Sequence, residues 1–275
     1  MFFSKIFMNL RVTCVQNDVI AKEPEANRNH LDEMMETIED TDVIVLPETF
    51  TTGFPADPSV FAEELGGCTM QWMQAKAKAK NCAVCGTIIL KGEPHDETKF
   101  YNSFIWMQQD GKYHIYNKRH LFTMGGEIGF EGGGELITIE YKGWRIRPFV
   151  CYDLRFPVWN RNCFKDGGFG YDIAIYSAEW PEKKSDVWNT LLIARAIENQ
   201  AYIVGVNRVG IDESEIKYKG ESMVLNMKGR VISKATEGES VFTAVLNKEE
   251  LEAFRNYFTV SHDWDDFCIL NKKFK

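Results

Sequence analysis

Leu31-Asp32-Glu33-Met34-Met35-Glu36-Thr37-Ile38-Glu39-Asp40-Thr41-Asp42-Val43-Ile44-Val45-Leu46-Pro47-Glu48 changes its hydrophobic period partway along. Leu31, Met34, Met35 and Ile38 recur at the intervals that line one face of an α-helix. After Thr41-Asp42, the run 43–46 is wholly apolar and rich in β-branched residues, the composition of a strand covered on both faces. A helix feeding a buried strand is the building unit of an α/β fold, and Pro47-Glu48 then sets a carboxylate at the strand's carboxyl end, where open α/β sheets bind ligands.

The same rhythm extends in both directions. Residues 10–15 read as a strand, 70–80 as a helix and 83–90 as a strand, and 102–116 as a hairpin turning at Asp110-Gly111. A second hairpin, 136–141 with 144–150, turns at Lys142-Gly143, although Pro148 argues against its second strand being central in a sheet. Strand 172–176, helix 186–200 and strand 202–206 follow, then strands at 223–225, 231–233 and 241–246, and a final helix from about 247 with Glu249 and Glu250 in its first turn. No linker, repeat or low-complexity tract divides the chain, so 1–275 reads as one domain of mixed sheets with helices packed outside.

Composition narrows the functional classes. Hydrophobic residues at 44% and charged residues at 26% are those of a globular chain. Thirty-two Lys+Arg against 40 Asp+Glu give a formal charge of -8, which argues against nucleic-acid or anionic-membrane partners. No apolar run reaches the roughly 18 residues needed to cross a bilayer. Residues 1–8 are apolar but short, lack a basic leader and run into the first strand, so they are expected to be N-terminal extension, with Met8 offering a second start. Seven cysteines without framework spacing fit reduced thiols in a cytoplasm.

Three residues carry candidate chemistry. Glu48 ends one strand, and Cys151 ends another, followed by Tyr152-Asp153-Leu154-Arg155-Phe156-Pro157, where a turn would expose the thiol beside backbone N–H donors. Lys118, just beyond the 102–116 hairpin, brings an ammonium that would lower a neighbouring thiol's pKa and stabilise a tetrahedral anion. Singly, these read as a solvated carboxylate, a small buried hydrophobe and a surface lysine. Together they supply a base, a nucleophile and an oxyanion partner without a metal.

Leu46-Pro47-Glu48-Thr49-Phe50, Asn117-Lys118-Arg119-His120-Leu121-Phe122 and Cys151-Tyr152-Asp153-Leu154-Arg155-Phe156-Pro157 resemble, in order, the three catalytic motifs of the nitrilase, or carbon–nitrogen hydrolase, superfamily. Ala194-Arg195-Ala196-Ile197-Glu198-Asn199-Gln200 and Asn207-Arg208-Val209-Gly210 resemble its later helix and strand, so the likeness spans nearly the whole chain. The resemblance implies a four-layer αββα sandwich, commonly a homodimer paired through its helices. It also implies Glu48 as base, Lys118 as oxyanion-stabilising cation, Cys151 as nucleophile and the Tyr152 N–H as oxyanion donor. A second glutamate is implied after the lysine; Glu127 matches best and Glu131 is its rival. The surrounding Met124-Gly125-Gly126-Glu127-Ile128-Gly129-Phe130 departs from the family's phenylalanine-rich form.

Phe50-Thr51-Thr52-Gly53-Phe54, Phe156-Pro157-Val158-Trp159 and Glu179-Trp180-Pro181 resemble the ω-amidase branch, which deamidates α-keto acid amides such as α-ketoglutaramate and α-ketosuccinamate. That resemblance implies a small-molecule amide substrate, no cofactor and no metal, with Trp180 at the substrate. The carboxylate of such a substrate needs a cationic anchor, for which Arg155 and Arg208 are candidates. The rival readings are another amidase, such as an N-carbamoyl amino acid hydrolase, a nitrilase acting on nitriles, and a silent partner-binding protein on the same fold. Cys82-Ala83-Val84-Cys85 has redox or zinc spacing, yet in a strand its two thiols point to opposite faces. Gly132-Gly133-Gly134 lacks phosphate-loop context and reads as a flexible turn, and Lys76, Lys78 and Lys80 read as a solvated helix face.

Overall fold

The computed structural model describes residues 9–55, 57–92 and 98–270; the extension read at 1–8 lies outside them. The chain runs β1 (Leu10–Gln16), α1 (Pro24–Glu36), β2 (Val43–Val45), α2 (Cys68–Lys80), β3 (Ala83–Lys91), β4 (Phe100–Met107), β5 (Tyr113–Asn117), β6 (Ile139–Tyr141) and β7 (Trp144–Val150). It continues with α3 (Pro157–Asn160), β8 (Phe164–Lys165), β9 (Gly168–Phe169), β10 (Ile173–Ala178), α4 (Ser185–Asn199), β11 (Tyr202–Asn207), β12 (Val209–Ile211) and β13 (Lys217–Lys219). Last come β14 (Met223–Leu225), β15 (Val231–Lys234), β16 (Ser240–Leu246) and α5 (Lys248–Tyr257), the helix capped by the Asn247 side chain accepting from Glu250 N–H. The short hairpins β8–β9 and β12–β13 have no sequence signature, being two or three residues long and largely exposed.

Two six-stranded sheets form, in the orders β16-β1-β2-β3-β4-β5 and β15-β14-β11-β10-β7-β6. The inner pairs β1–β2, β2–β3, β7–β10 and β10–β11 are parallel, and the flanking pairs are antiparallel. Parallel neighbours need crossovers, which α1, α2 and α4 supply.

The period-2 alternation of the buried strands divides the core. Val43 and Val45 join Val12, Cys14, Cys85 and Trp106 in the cluster shared with the second sheet, which continues under α4 through Trp188 and Leu192. Ile44 and Leu46 face the other way, onto Leu31 and Met35 of α1 and Met73 and Ala77 of α2. Each such fully buried apolar side chain contributes about 1.5–3 kcal/mol. The layers are therefore helices, sheet, sheet, helix, the αββα sandwich. Cys82 and Cys85 fall in the two different clusters, on opposite sides of the first sheet.

Three expectations change. Pro148 lies in an interior strand after all, but β6 ends opposite Ile146, so at Pro148 the strand is bonded only to β10 and the missing N–H is tolerated. The Gly132-Gly133-Gly134 segment is closely packed at its centre: a Cβ on Gly133 would stand 2.1 Å from Asn117 O, so the residue is small because the chain before Lys118 presses on it. Lys76 pairs with Asp32 at 2.7 Å and Lys80 donates to Ile38 O at 2.7 Å, so two of the three lysines fasten α2 to α1 and the chain beyond it.

Candidate active site

The site forms where β2 and β10 end side by side. The Ser177 hydroxyl donates to Leu46 O at 2.8 Å, stitching the two sheets together immediately before Glu48. Thr49 then takes φ 38°, and its N–H donates to Thr87 Oγ1 at 2.7 Å, which fixes the turn carrying Glu48. Cys151 follows β7 at φ 39° and opens a 3-10 turn over Cys151–Arg155. A non-glycine residue in the left-handed region is strained, and such strain persists where the surroundings over-determine the backbone.

Asp153 provides much of that constraint. Its carboxylate accepts from Val150 N–H (3.1 Å), Tyr116 OH (2.7 Å) and His120 N–H (3.0 Å), tying the Cys151 turn to β5 and the loop behind Lys118. Lys118 is itself anchored by its N–H on Asn102 O at 2.9 Å and by Gly133 N–H on its carbonyl at 2.8 Å.

These elements bring Glu48, Lys118, Glu127 and Cys151 into one buried cluster. Lys118 Nζ donates to Glu48 Oε1 at 2.9 Å and to both Glu127 oxygens, at 3.0 and 2.8 Å. Asn102 Nδ2 donates to Glu48 Oε1 at 2.8 Å and to Glu127 Oε1 at 3.3 Å. Glu179 N–H holds Glu48 Oε2 at 2.9 Å, and Phe122 N–H holds Glu127 Oε2 at 2.6 Å. The Cys151 thiol rests 3.7 Å from Glu179 O. Of the two candidates for the second glutamate, Glu127 is 3% exposed and reaches Lys118, whereas Glu131 points to solvent.

Burial raises the Glu48 pKa, with Lys118 pulling against it and Glu127 adding to it. Burial alone would lower the Lys118 pKa, but the two carboxylates reverse the sign and keep it an ammonium. For Cys151 the Lys118 ammonium acts in the expected direction. The ammonium pulls the thiol's pKa down, while burial and the adjacent Glu48 carboxylate push it up more strongly.

A narrow cleft, open at its mouth, leads to Cys151 between Phe122, Tyr152, Arg155, Trp180 and Lys184. Arg155 lies over the Trp180 ring at 4.9 Å. Arg208 is not in this lining. Its guanidinium donates to Asp18 Oδ1 (2.9 Å), Val19 O (2.8 Å) and Val209 O (3.2 Å) and stands 3.7 Å from Glu179, so its donors are committed to the protein. Arg208→Met is therefore expected to lower the melting temperature while leaving the Michaelis constant for a keto-acid amide within about threefold of wild type, the cost of removing one member of a buried pair being about 3–5 kcal/mol. A tenfold rise in that constant in a folded variant would return Arg208 to the substrate. A larger hollow between Arg147, Arg161 and Trp264 contains none of these groups.

Sequence reading assigned no role to Asn102, Glu179 or Lys184, although Glu179 stands in the quoted Glu179-Trp180-Pro181 motif. Asn102 had a signal, an amide inside a mostly apolar strand, where a buried amide requires partners. Glu179, whose carboxyl accepts from the Thr49 hydroxyl at 3.0 Å and is pushed up to about 8 mainly by burial, and Lys184 had none beyond proximity to Trp180.

The carbon–nitrogen hydrolase family model matches residues 11–256. The chain is 40% identical over 264 residues to "Omega-amidase YafV" of Escherichia coli (strain K12), covering 94% of this chain and 98% of that protein. It is 30% identical to "2-oxoglutaramate amidase" of Bacillus subtilis (strain 168), covering 93% and 98%. The crystal structure of XC1258 from Xanthomonas campestris, a CN-hydrolase superfamily protein with an arsenic adduct in its active site, superposes with a TM-score of 0.92 at 36% identity, covering 95% of this chain and 99% of that one. Fold, sequence and the buried site thus agree that the chain belongs to the carbon–nitrogen hydrolase family of the nitrilase superfamily and is an amidohydrolase acting on non-peptide carbon–nitrogen bonds.

Proposed function

We propose that the protein hydrolyses the ω-amide of a short α-keto acid, such as α-ketoglutaramate or α-ketosuccinamate, to the carboxylate and ammonia through a thioester on Cys151. The observation that carries this reading is the single ammonium of Lys118 bridging Glu48 and Glu127 beside the Cys151 thiol. The names of the E. coli and B. subtilis relatives favour the ω-amide over other carbon–nitrogen bonds. Arg155, free of carboxylate partners among the described residues and facing the cleft, suits the substrate's carboxylate.

In this scheme Glu48 takes the thiol proton as sulfur attacks the amide carbon, since the thiolate is the nucleophile and burial holds the Cys151 pKa up. Lys118 and the Tyr152 N–H receive the negative oxygen, replacing water's stabilisation by donors already in place. The carbon–nitrogen bond breaks as Glu48 returns the proton to the leaving nitrogen, releasing ammonia. Glu48 then removes a proton from water, the hydroxyl adds to the thioester carbon, and the proton passes to the departing sulfur. Glu127 holds Lys118 in its position through both oxygens.

The base works only when ionised, so activity falls as pH drops through the Glu48 pKa. Burial raises that pKa, and the acid limb of kcat/KM is expected above the ordinary value of 4.5. An acid limb at or below that value would contradict Glu48 as the base.

The decisive assay is ammonia release from a panel of α-keto acid amides, other ω-amides, carbamoyl amino acids and nitriles; preference for a carbamoyl amino acid or a nitrile would overturn the substrate assignment. We further infer a cytoplasmic homodimer, on the family resemblance, the free state of all seven cysteines and the exposed apolar Val158, Ile197 and Phe258. No helix among the described residues is long and apolar enough to cross a membrane. Light scattering that returned a monomer's mass would remove the dimer.

A further inference from the structure

The cleft leading to Cys151 holds two cations, Arg155 and Lys184, and neither has a carboxylate within ion-pair distance among the described residues. Both are held by aromatic faces. The Arg155 guanidinium lies 4.9 Å from the Trp180 ring centroid and Lys184 Nζ lies 4.7 Å from that of Phe122. Trp180 links the pair, because its indole N–H donates to Lys184 O at 2.8 Å while its face carries Arg155. A ring face positions a cation without occupying its N–H donors, so both groups keep hydrogen-bonding capacity for a ligand. Glu179 is the one acid in the lining, and its carboxyl is turned away, onto the Thr49 hydroxyl and towards Arg208.

One guanidinium satisfies one carboxylate through two parallel hydrogen bonds. An ammonium beside it then adds repulsion unless the ligand brings further acceptor oxygen. A 2-oxo acid does so: its carboxylate and adjacent carbonyl place three oxygens side by side on one end of the molecule. We propose that Lys184 is a specificity-determining residue that, with Arg155, grips the 2-oxo-acid end of the substrate. Arg155 takes the carboxylate; Lys184 takes the 2-oxo oxygen and the carboxylate oxygen nearest to it. The assignment rests on the amidase reading above and deepens it, since it selects 2-oxo acid amides over simple ω-amides of equal length.

The test compares three four-carbon amides, α-ketosuccinamate, succinamate and butyramide, with wild-type, Lys184→Met and Lys184→Arg protein. In Lys184→Met the Michaelis constant for α-ketosuccinamate is expected to rise about tenfold to a hundredfold, as for loss of a hydrogen bond to a charged group. Its kcat should stay within about threefold, because the lost contact is equally made before and during reaction. The preference for α-ketosuccinamate over butyramide should fall by the same factor, and Lys184→Arg should recover most of it. An unchanged preference, or equal losses on all three amides, overturns the proposal.

A binding arm separates this inference from the amidase reading. Cys151→Ala protein, with and without Lys184→Met, is titrated with 2-oxobutyrate and butyrate, following tryptophan fluorescence from the site. Tighter binding of 2-oxobutyrate that disappears with Lys184→Met supports the proposal even if no amide is turned over. No preference for 2-oxobutyrate in the Lys184-containing protein overturns it even if amides are hydrolysed.

Discussion

Cys151→Ala is expected to abolish ammonia release from every amide in the panel, a fall of at least about 10⁴-fold in kcat, while the protein remains folded. The size of the loss follows from the chemistry: without sulfur there is no thioester, and Glu48, Lys118 and the Tyr152 N–H can act only on a water that nothing else aligns. Folding survives for local reasons. The thiol is held only by the weak contact at 3.7 Å to Glu179 O and by its approach to the Glu48 carboxylate. Alanine accepts φ 39° about as well as cysteine does, so the backbone strain at this turn is unchanged. Removing the sulfur leaves at most a small void beside a cleft that solvent already reaches. Ammonia assay and thermal melting on the same preparation check both halves. Wild-type turnover in this variant would sink the nucleophile assignment and the thioester with it.

Lys118→Met is expected to cost both activity and stability. Lys118, Glu48 and Glu127 are 1%, 0% and 3% exposed, so methionine would leave two carboxyls facing each other in a dry interior. Removing one partner of a buried ionic group costs about 3–5 kcal/mol, which for a domain of this size lowers the melting temperature by roughly 10 °C. The loss has a defined pH dependence. Without the ammonium nothing offsets the burial and the neighbouring Glu127 that raise the Glu48 pKa, so the folded state retains a proton that the unfolded chain releases. Stability is then best below the ordinary carboxyl range and declines as pH rises. Adding Glu127→Gln should restore part of the stability, most visibly at high pH, without restoring turnover. A single Lys118→Met variant that melts like wild type at pH 8 would show that the ammonium does not balance these carboxylates.

Much of this site was legible before the fold was known. Glu48 and Cys151 each end a strand whose buried character is written in its residues, and Lys118 follows a hairpin with a clear Asp-Gly turn. What stayed hidden depends on distance through space. Lys184 and Arg155 line one cleft because Trp180 carries Arg155 on its face and bonds the Lys184 carbonyl, and no periodicity links 155 with 184. Arg208 looked as suitable an anchor as Arg155, since sequence does not reveal that Asp18 and Val19, nearly 200 positions away, consume its donors. The thiol's burial was hidden for a related reason: an ammonium nearby is visible in a motif, but the degree of burial that opposes it is not. Pro148 misled because a proline rule about sheet interiors presumes two neighbours, and β6 stops short of it.

The Ser177–Leu46 hydrogen bond joins sheets that contribute different reactive groups, Glu48 and Lys118 from one side and Cys151 from the other. Neither half of the sandwich therefore owns a working centre. On the proposed mechanism, a chain whose sheets are parted carries an idle thiol and no hydrolytic liability towards the amides around it.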